Sequence, residues 1–382
     1  MALTRRAFHA SVAAAMAAPA LMRRAGAQGA TLKIGMCTPV TGPAAESGRY
    51  AQIGAHLAAD AVNKAGGALG KQIELIVEDD QTTNPGVVLA FSKLAAQDDI
   101  VAFLGSIRST QVHAMAPDVL KLGKPVMIGG TDPNLTHMGN PWLFRFRPND
   151  SYSGRVLADF GCNTVGKKNW AIVHSTDAFG TAGGKALAEA LAKIDGAKIA
   201  LDQGYANQSQ DFTPVVLAIK QSGADILGSY FTFENDLGIF ARQLRQLGVT
   251  IPYVGSPSIT NVTARKLAGA ALYDTYGVAD FVEDSSEAAK AFGKAYREIA
   301  NVAPDNLSAW TYDAMTVLCM AINKAGKTEP AAIREAILSV RNFPGAEGAY
   351  NFDANGDGLH GYNIVRNDKG NIVFEKHVDF ND

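Results

Sequence analysis

Short apolar runs alternate along the chain with segments whose apolar residues recur every three or four positions. Thr31–Cys37 (TLKIGMC), Ile73–Glu78 (IELIVE), Val101–Gly105 and Pro125–Ile128 predict strands. Between the first two, Tyr50–Lys64 places Ile53, Leu57 and Ala61 on one helical face, and Gly66-Gly67 marks its end. Pro85–Gln97 and Thr110–Leu122 predict the next helices. The theme repeats with strands at Ala171–His174, Ile199–Leu201, Ile226–Ser229 and Tyr253–Gly255. They are separated by helical stretches at Ala182–Lys193 and Pro214–Ser222 and one ending at Gln243–Leu247. The strands are continuously apolar rather than alternating, as in parallel sheets covered by helices on both faces. About eight or nine such units exceed one ordinary sheet. Changes of texture near Phe144–Ser153 (FRFRPNDSYS) and Tyr276–Glu283 (YGVADFVE) predict crossings between two lobes. Helices follow at Ser285–Ala300, Leu307–Lys324 and Pro330–Val340. The tail Tyr350–Lys376 reads as β-hairpin, with Asp357-Gly358 and Lys369-Gly370 as turn signals.

Composition adds a boundary. The chain has 382 residues, 47% hydrophobic and 19% charged, with a net charge of −2. It is neither disordered nor basic enough for a dedicated nucleic-acid binder. The near-neutrality hides an asymmetry. Residues 1–27 hold Arg5, Arg6, Arg23 and Arg24 and no acid, so the remainder carries 31 bases against 37 acids, a charge of −6. Arg5-Arg6 precedes an apolar run of about 16 residues, Ala7 to Met22, short of the ~20 that span a bilayer. Ala25-Gly26-Ala27 has the form of a signal-peptidase site. Residues 1–27 are therefore expected to be an export signal cleaved near Ala27, rather than a membrane anchor. Thr4-Arg5-Arg6-Ala7-Phe8 resembles a twin-arginine signal. The expected mature protein begins at Gln28, is periplasmic and is not itself membrane-embedded.

Catalytic signatures are missing. There is no Gly-x-Ser-x-Gly, His-Glu-x-x-His or Gly-x-x-x-x-Gly-Lys-[Ser/Thr]. The seven His are scattered, and no cofactor or metal is expected. Asp353-x-Asn355-x-Asp357-Gly358 matches the front of a calcium loop, but the twelfth position is Ile364, so a turn is the better reading. Cys37, Cys162 and Cys319 define no disulfide framework.

Four segments carry a resemblance: Thr31–Gly42 (TLKIGMCTPVTG), Ala61–Asp80 (AVNKAGGALGKQIELIVEDD), Gly105–Thr110 (GSIRST) and Asp132–Thr136 (DPNLT). Over about 31–376 the chain resembles the leucine/isoleucine/valine-binding protein family, periplasmic solute receptors of ABC importers. The resemblance implies the type I periplasmic binding protein fold: two discontinuous α/β lobes with parallel sheets and a three-crossing hinge, closing on ligand. It places residues 28–147 and 277–347 in the N-terminal lobe and 148–276 and 348–382 in the C-terminal lobe, with the third crossing near Ala346–Gly348.

The resemblance also implies a ligand-binding set. Ser109 and Thr131 match the hydroxyls that hold the ligand carboxylate, aided by backbone N–H groups at Gly129 and Gly130. Ser109 has a second, compatible reading as a plain helix N-cap. Ser47 is expected at the cleft rim. From the second lobe, Phe179 matches an aromatic before a glycine. Of Tyr230, Phe231 and Phe233, the residues expected in the cleft are Tyr230 and Phe233, though Tyr230 reads equally as core. Pro257 lies in the segment Gly255–Ser258, where amino-acid binders of the family carry an acid for the ligand ammonium. Here that acid is missing, and Glu234 or Asp177 would have to substitute. Arg108 stands where those binders have a Cys, so the family's disulfide is not expected, and an arginine forks onto carboxylates. A gained cation and a lost anion point to a carboxylate ligand without an essential ammonium, such as an aromatic or keto acid. A true amino-acid receptor (branched-chain or aromatic) and a sensory receptor are the alternatives, and an exported enzyme lacks any nucleophile–base motif. The expected partners are the ligand and ABC permease membrane subunits.

Overall fold

Buried apolar strands set the frame. In the computed structural model, which describes residues 31–380, the strands Leu32–Thr38 (β1), Ile73–Asp79 (β2), Ile100–Leu104 (β3), Val126–Ile128 (β4) and Leu143–Arg145 (β5) form an all-parallel sheet ordered β2-β1-β3-β4-β5. Strands Asn169–Ser175 (β6), Lys198–Tyr205 (β7), Ile226–Tyr230 (β8), Tyr253–Gly255 (β9) and Tyr276–Ala279 (β10) belong to a second sheet. After a short ribbon, Phe343–Pro344 (β11) with Ala349–Tyr350 (β12), the hairpin Gly361–Asp368 (β13) and Asn371–Asp379 (β14) adds antiparallel strands to its edge. The order there is β14-β13-β10-β9-β8-β6-β7. This is the α/β two-lobed architecture expected, with parallel-dominated sheets.

Local chemistry explains the boundaries. The helix Asn84–Ala95 starts with the Thr83 hydroxyl accepting Gly86 N–H and Pro85 in its first turn. The helix Ser109–Leu122 stops at Gly123, whose φ of +68° closes its left-handed cap. The first helix spans Ala45–Lys64 and begins before the expected Tyr50. Ser47, Gly48 and Ala51 lie on its buried face, and these small residues do not stand out in an apolar count.

Three connections join the sheets. The first runs between β5 and the helix Asp150–Asp159, within the change of texture at Phe144–Ser153; the helix itself had no sequence signal. The second follows β10. Tyr276 and Gly277 pair with Val254 and Gly255 of β9, so a division after residue 276 would cut a strand of the second sheet, and the crossing lies beyond Ala279. The third is also later than expected. Tyr350, Phe352 and Leu359 are buried in the first lobe's core with Phe144, Phe146 and Trp310, so residues 348–359 belong with that lobe. Of the two turn signals in the tail, only Lys369-Gly370 closes a hairpin, both residues having positive φ. Asp357 is instead buried and paired with Arg145 at 2.8 Å, while the Asp353 carboxylate accepts Asn355 and Asp357 N–H, the turn expected in place of a calcium loop. Cys37, Cys162 and Cys319 are buried free thiols. The expected export signal lies outside the described residues.

Candidate functional site

The carboxyl ends of the two sheets face one another across a cleft, where open α/β sheets place their ligands. A cavity of about 60 Å³, with room for several water-sized groups, lies there. Ile107 and Leu307 supply apolar walls from the first lobe, Phe179 and Phe231 from the second. The polar lining comprises Arg108, Arg147, Glu234 and Asn306, with Thr232, Ser258 and Asn261.

The loop after β3 positions Arg108. Ser106 Oγ accepts Arg108 N–H at 3.0 Å and donates to Gln111 Oε1, which shapes the turn into the helix Ser109–Leu122. Arg108 stands at the helix N-cap in extended backbone, and its side chain reaches across the cleft. Nη1 donates to the Thr232 carbonyl at 3.0 Å, and the guanidinium lies 4.4 Å from the centre of the Phe233 ring. Nε is buried with no hydrogen-bond partner, and Arg108 makes no ion pair with any described carboxylate. Arg147, by contrast, is held: Nε is paired with Asp280 and Nη1 donates to the Gly129 carbonyl at 3.0 Å.

Two further hydrogen bonds join the lobes. Ser47 Oγ donates to Glu234 Oε1 at 2.6 Å, and Ala178 N–H donates to Thr110 Oγ1 at 3.2 Å. Together with the Asn261 side chain, which donates to Asp305 Oδ2 at 3.4 Å, these hydrogen bonds bridge the lobes within the protein itself.

Of the expected residues, the cavity wall contains Arg108 and Phe179; Ser47 closes the rim through Glu234. The others stand behind the wall. Ser109 Oγ accepts Thr131 and Asp132 N–H, both at 3.1 Å, tying the loop after β4 to the helix start. The Thr131 hydroxyl donates to Asp150 Oδ2 at 2.8 Å. Burial pushes the Asp150 carboxyl up to about 8, so at neutral pH it holds its proton. A Cβ on Gly129 would meet Trp310 at 2.9 Å and one on Gly130 would meet Leu135 at 2.7 Å, so packing by itself favours glycine at both. Tyr230 is fully buried beneath Phe179, their ring centres 5.9 Å apart, with its hydroxyl 2.9 Å from Ser153 Oγ. Phe233 is covered by Arg108, and Phe231 lines the cavity instead. Pro257 is buried at the start of a short 3-10 turn whose Ser258 reaches the wall. Asp177 is engaged as the cap of the helix Ala178–Leu191.

Sequence reasoning missed Arg147, Asn261, Asn306 and Leu307. Arg147 had a signal: two arginines inside the apolar run Phe144-Arg-Phe-Arg147. Asn306 and Leu307 had none, because they reach the cleft only when their helix packs beside β3. Asp305 caps that helix, accepting Leu307 N–H at 3.0 Å, and burial raises its carboxyl to about 7.

Residues 31–371 match the sequence profile of the periplasmic binding protein family. This chain belongs to that family. Among its relatives is the leucine-, isoleucine-, valine-, threonine-, and alanine-binding protein of Pseudomonas aeruginosa, 27% identical over 334 residues, covering 86% of this chain and 87% of that one. A leucine binding protein from Thermotoga maritima superposes with a TM-score of 0.85 at 23% identity, covering 91% of this chain and 99% of that chain. A solute binding protein of an ABC transporter from Rhodopseudomonas palustris, in complex with benzoate, superposes with a TM-score of 0.83 at 20% identity, covering 92% and 98%. Both structures share the type I periplasmic binding protein fold with this chain. A periplasmic binding protein captures solute rather than transforming it. Among the described residues no cluster of His, Cys, Asp and Glu is placed to hold a metal ion, and no helix is long and apolar enough to cross a membrane.

Proposed function

We propose that this periplasmic binding protein is the receptor of an ABC importer of the branched-chain amino acid type, and that it binds a small carboxylate, an aromatic or keto acid, in the interlobe cleft. The observation that carries the reading is Arg108: a cation in the cavity wall, with a buried, unpartnered Nε and no carboxylate among the described residues paired to it. A ligand carboxylate supplies the missing acceptor, and charge-assisted bonds of this kind are about twice as strong as neutral ones. Phe179, Phe231, Ile107 and Leu307 would cover an apolar body. Closure over the ligand adds its contacts to the bridges already joining the lobes, shifting the open–closed balance by the ligand's differential affinity. The closed form would then dock on membrane permease subunits from the periplasm.

A second reading has its own observation. Glu234 lines the cavity with only Oε1 engaged by Ser47, so an amino acid could set its ammonium there. The relatives' names include amino-acid binders, and a structural neighbour holds benzoate. A thermal-shift series separates the two, since a ligand of the folded state raises the melting temperature by mass action. Benzoate, phenylpyruvate and 4-methyl-2-oxopentanoate should raise it and leucine and phenylalanine should not. The reverse pattern establishes the amino-acid receptor.

A further inference from the structure

Asn306 is the polar residue of the cavity with nothing to do. It is the first residue of the helix Asn306–Ala325, 6% exposed, and it lines the cavity beside Leu307 and Arg147. Its neighbours in the wall are engaged. Ser258 Oγ donates to the Phe231 carbonyl, the Asn261 side chain caps the helix Val262–Ala268 and reaches Asp305, and Thr232 Oγ1 pairs with Ser175. The Asn306 carboxamide makes no hydrogen bond among the described residues, and its Oδ1 is buried without a partner. A buried amide left unpaired is costly, so such groups in a folded protein call for an explanation.

Helix capping does not supply one. Asp305 and Ser308 already form the reciprocal capping box, which leaves the Asn306 side chain free to face the cleft.

We propose that Asn306 reads a hydroxyl on the ligand, so that the acid bound here is a hydroxy acid. The proposal rests on the carboxylate reading above and narrows it. A carboxamide presents one acceptor and one donor side, and a hydroxyl satisfies both at once, donating to Oδ1 and accepting from Nδ2. A keto oxygen only accepts and leaves Oδ1 unpaired. An ammonium only donates, and the free oxygen of Glu234 offers it a charged acceptor in the same cavity. Exchanging the amide's oxygen and nitrogen positions leaves this reasoning intact, because neither atom is bonded to protein. Arg108 takes the carboxylate, and Asn306 distinguishes acids by what else they carry.

The test compares matched acids by calorimetry on the whole mature protein. The sets are benzoate with its 2-, 3- and 4-hydroxy derivatives, phenylpyruvate with phenyllactate and phenylalanine, and 4-methyl-2-oxopentanoate with 2-hydroxy-4-methylpentanoate and leucine. Sites built around a hydroxyl discriminate strongly against analogues lacking it, so at least one hydroxy acid should bind about tenfold or more tighter than its counterparts. Asn306→Leu should reduce that preference to under about threefold while leaving the counterpart's affinity within about threefold. Asn306→Ala, checked for an unchanged melting temperature, serves if the leucine variant misfolds. Three results overturn the proposal: no hydroxy acid preferred in any set, a preference that survives in both variants, or no acid bound at all. Methyl esters separate the two layers. An ester that binds as well as its acid refutes the carboxylate reading, while the hydroxyl preference within an ester pair still reports on Asn306.

Discussion

Replacing Arg108 with alanine removes the proposed ligand anchor and a lobe-to-lobe strut together. The guanidinium donates to the Thr232 carbonyl at 3.0 Å and covers the Phe233 ring at 4.4 Å, and both partners lie in the opposite lobe. A hydrogen bond from a charged donor contributes about 1.5–3 kcal/mol, and a partly desolvated cation–π contact about 0.5–2 kcal/mol. Part of this is offset because the buried Nε, unpartnered without ligand, no longer has to be desolvated. A net loss of about 2–4 kcal/mol in closed-state affinity is reasonable, or roughly 30- to 1,000-fold in Kd at 1.4 kcal/mol per decade. The measurement is isothermal titration with the tightest acid found in the thermal-shift series. Arg108→Lys keeps the charge but loses the planar fork, and its affinity should fall between the other two. An alanine variant whose Kd rises less than about threefold refutes the assignment.

Three further outcomes follow from single contacts. Ser47→Ala breaks the 2.6 Å bond to Glu234 across the cleft, costing the closed state about 1 kcal/mol; interlobe distances measured by energy transfer without ligand should lengthen, and an unchanged distribution counts against the bridge. Gly183→Ala would set a Cβ 2.1 Å from the buried Tyr230 ring, so overpacking of about 1–3 kcal/mol should outweigh the gain of up to ~1 kcal/mol in helix propensity, and a melting temperature that rises would contradict this. The Asp150 carboxyl is raised by burial to about 8, so its native form holds a proton that the unfolded chain has already released; its contribution to stability is complete below about pH 4 and is lost as pH climbs towards 8. Asp150→Asn should therefore flatten the fall in melting temperature over that window, and parallel curves for the two proteins would show that Asp150 does not titrate there.

Much of the fold was legible because local rules suffice for it. The continuously apolar strands, the Gly66-Gly67 helix end and the Lys369-Gly370 turn each depend on a few neighbouring residues. The lobe borders were less legible. Tyr276–Ala279 looked like a change of texture because half-buried Tyr276 and Gly277 break the apolar run, yet hydrogen bonds to Val254 and Gly255 make it a strand. In the site, Arg108 and Phe179 were readable from motif position. Phe231, Arg147 and Asn306 were not, since the side each presents to the cleft depends on packing from elements far away in the chain.

Sequence by itself determined the class of the molecule: alternating strands and helices, the family pattern from Thr31 onward, and an arginine in the loop to which the resemblance assigns a ligand carboxylate. Only the tertiary structure decided how that loop is used. It assigned Ser109 and Thr131 to loop bracing and Asp150, buried Tyr230 under Phe179, and left Arg108 Nε and the Asn306 carboxamide without partners in a shared cavity. Periodicity and motif spacing report what each residue's neighbours in the chain require of it. Whether a polar group is already satisfied depends on atoms brought from far along the chain, as Ser47 and Glu234 show with a separation of 187.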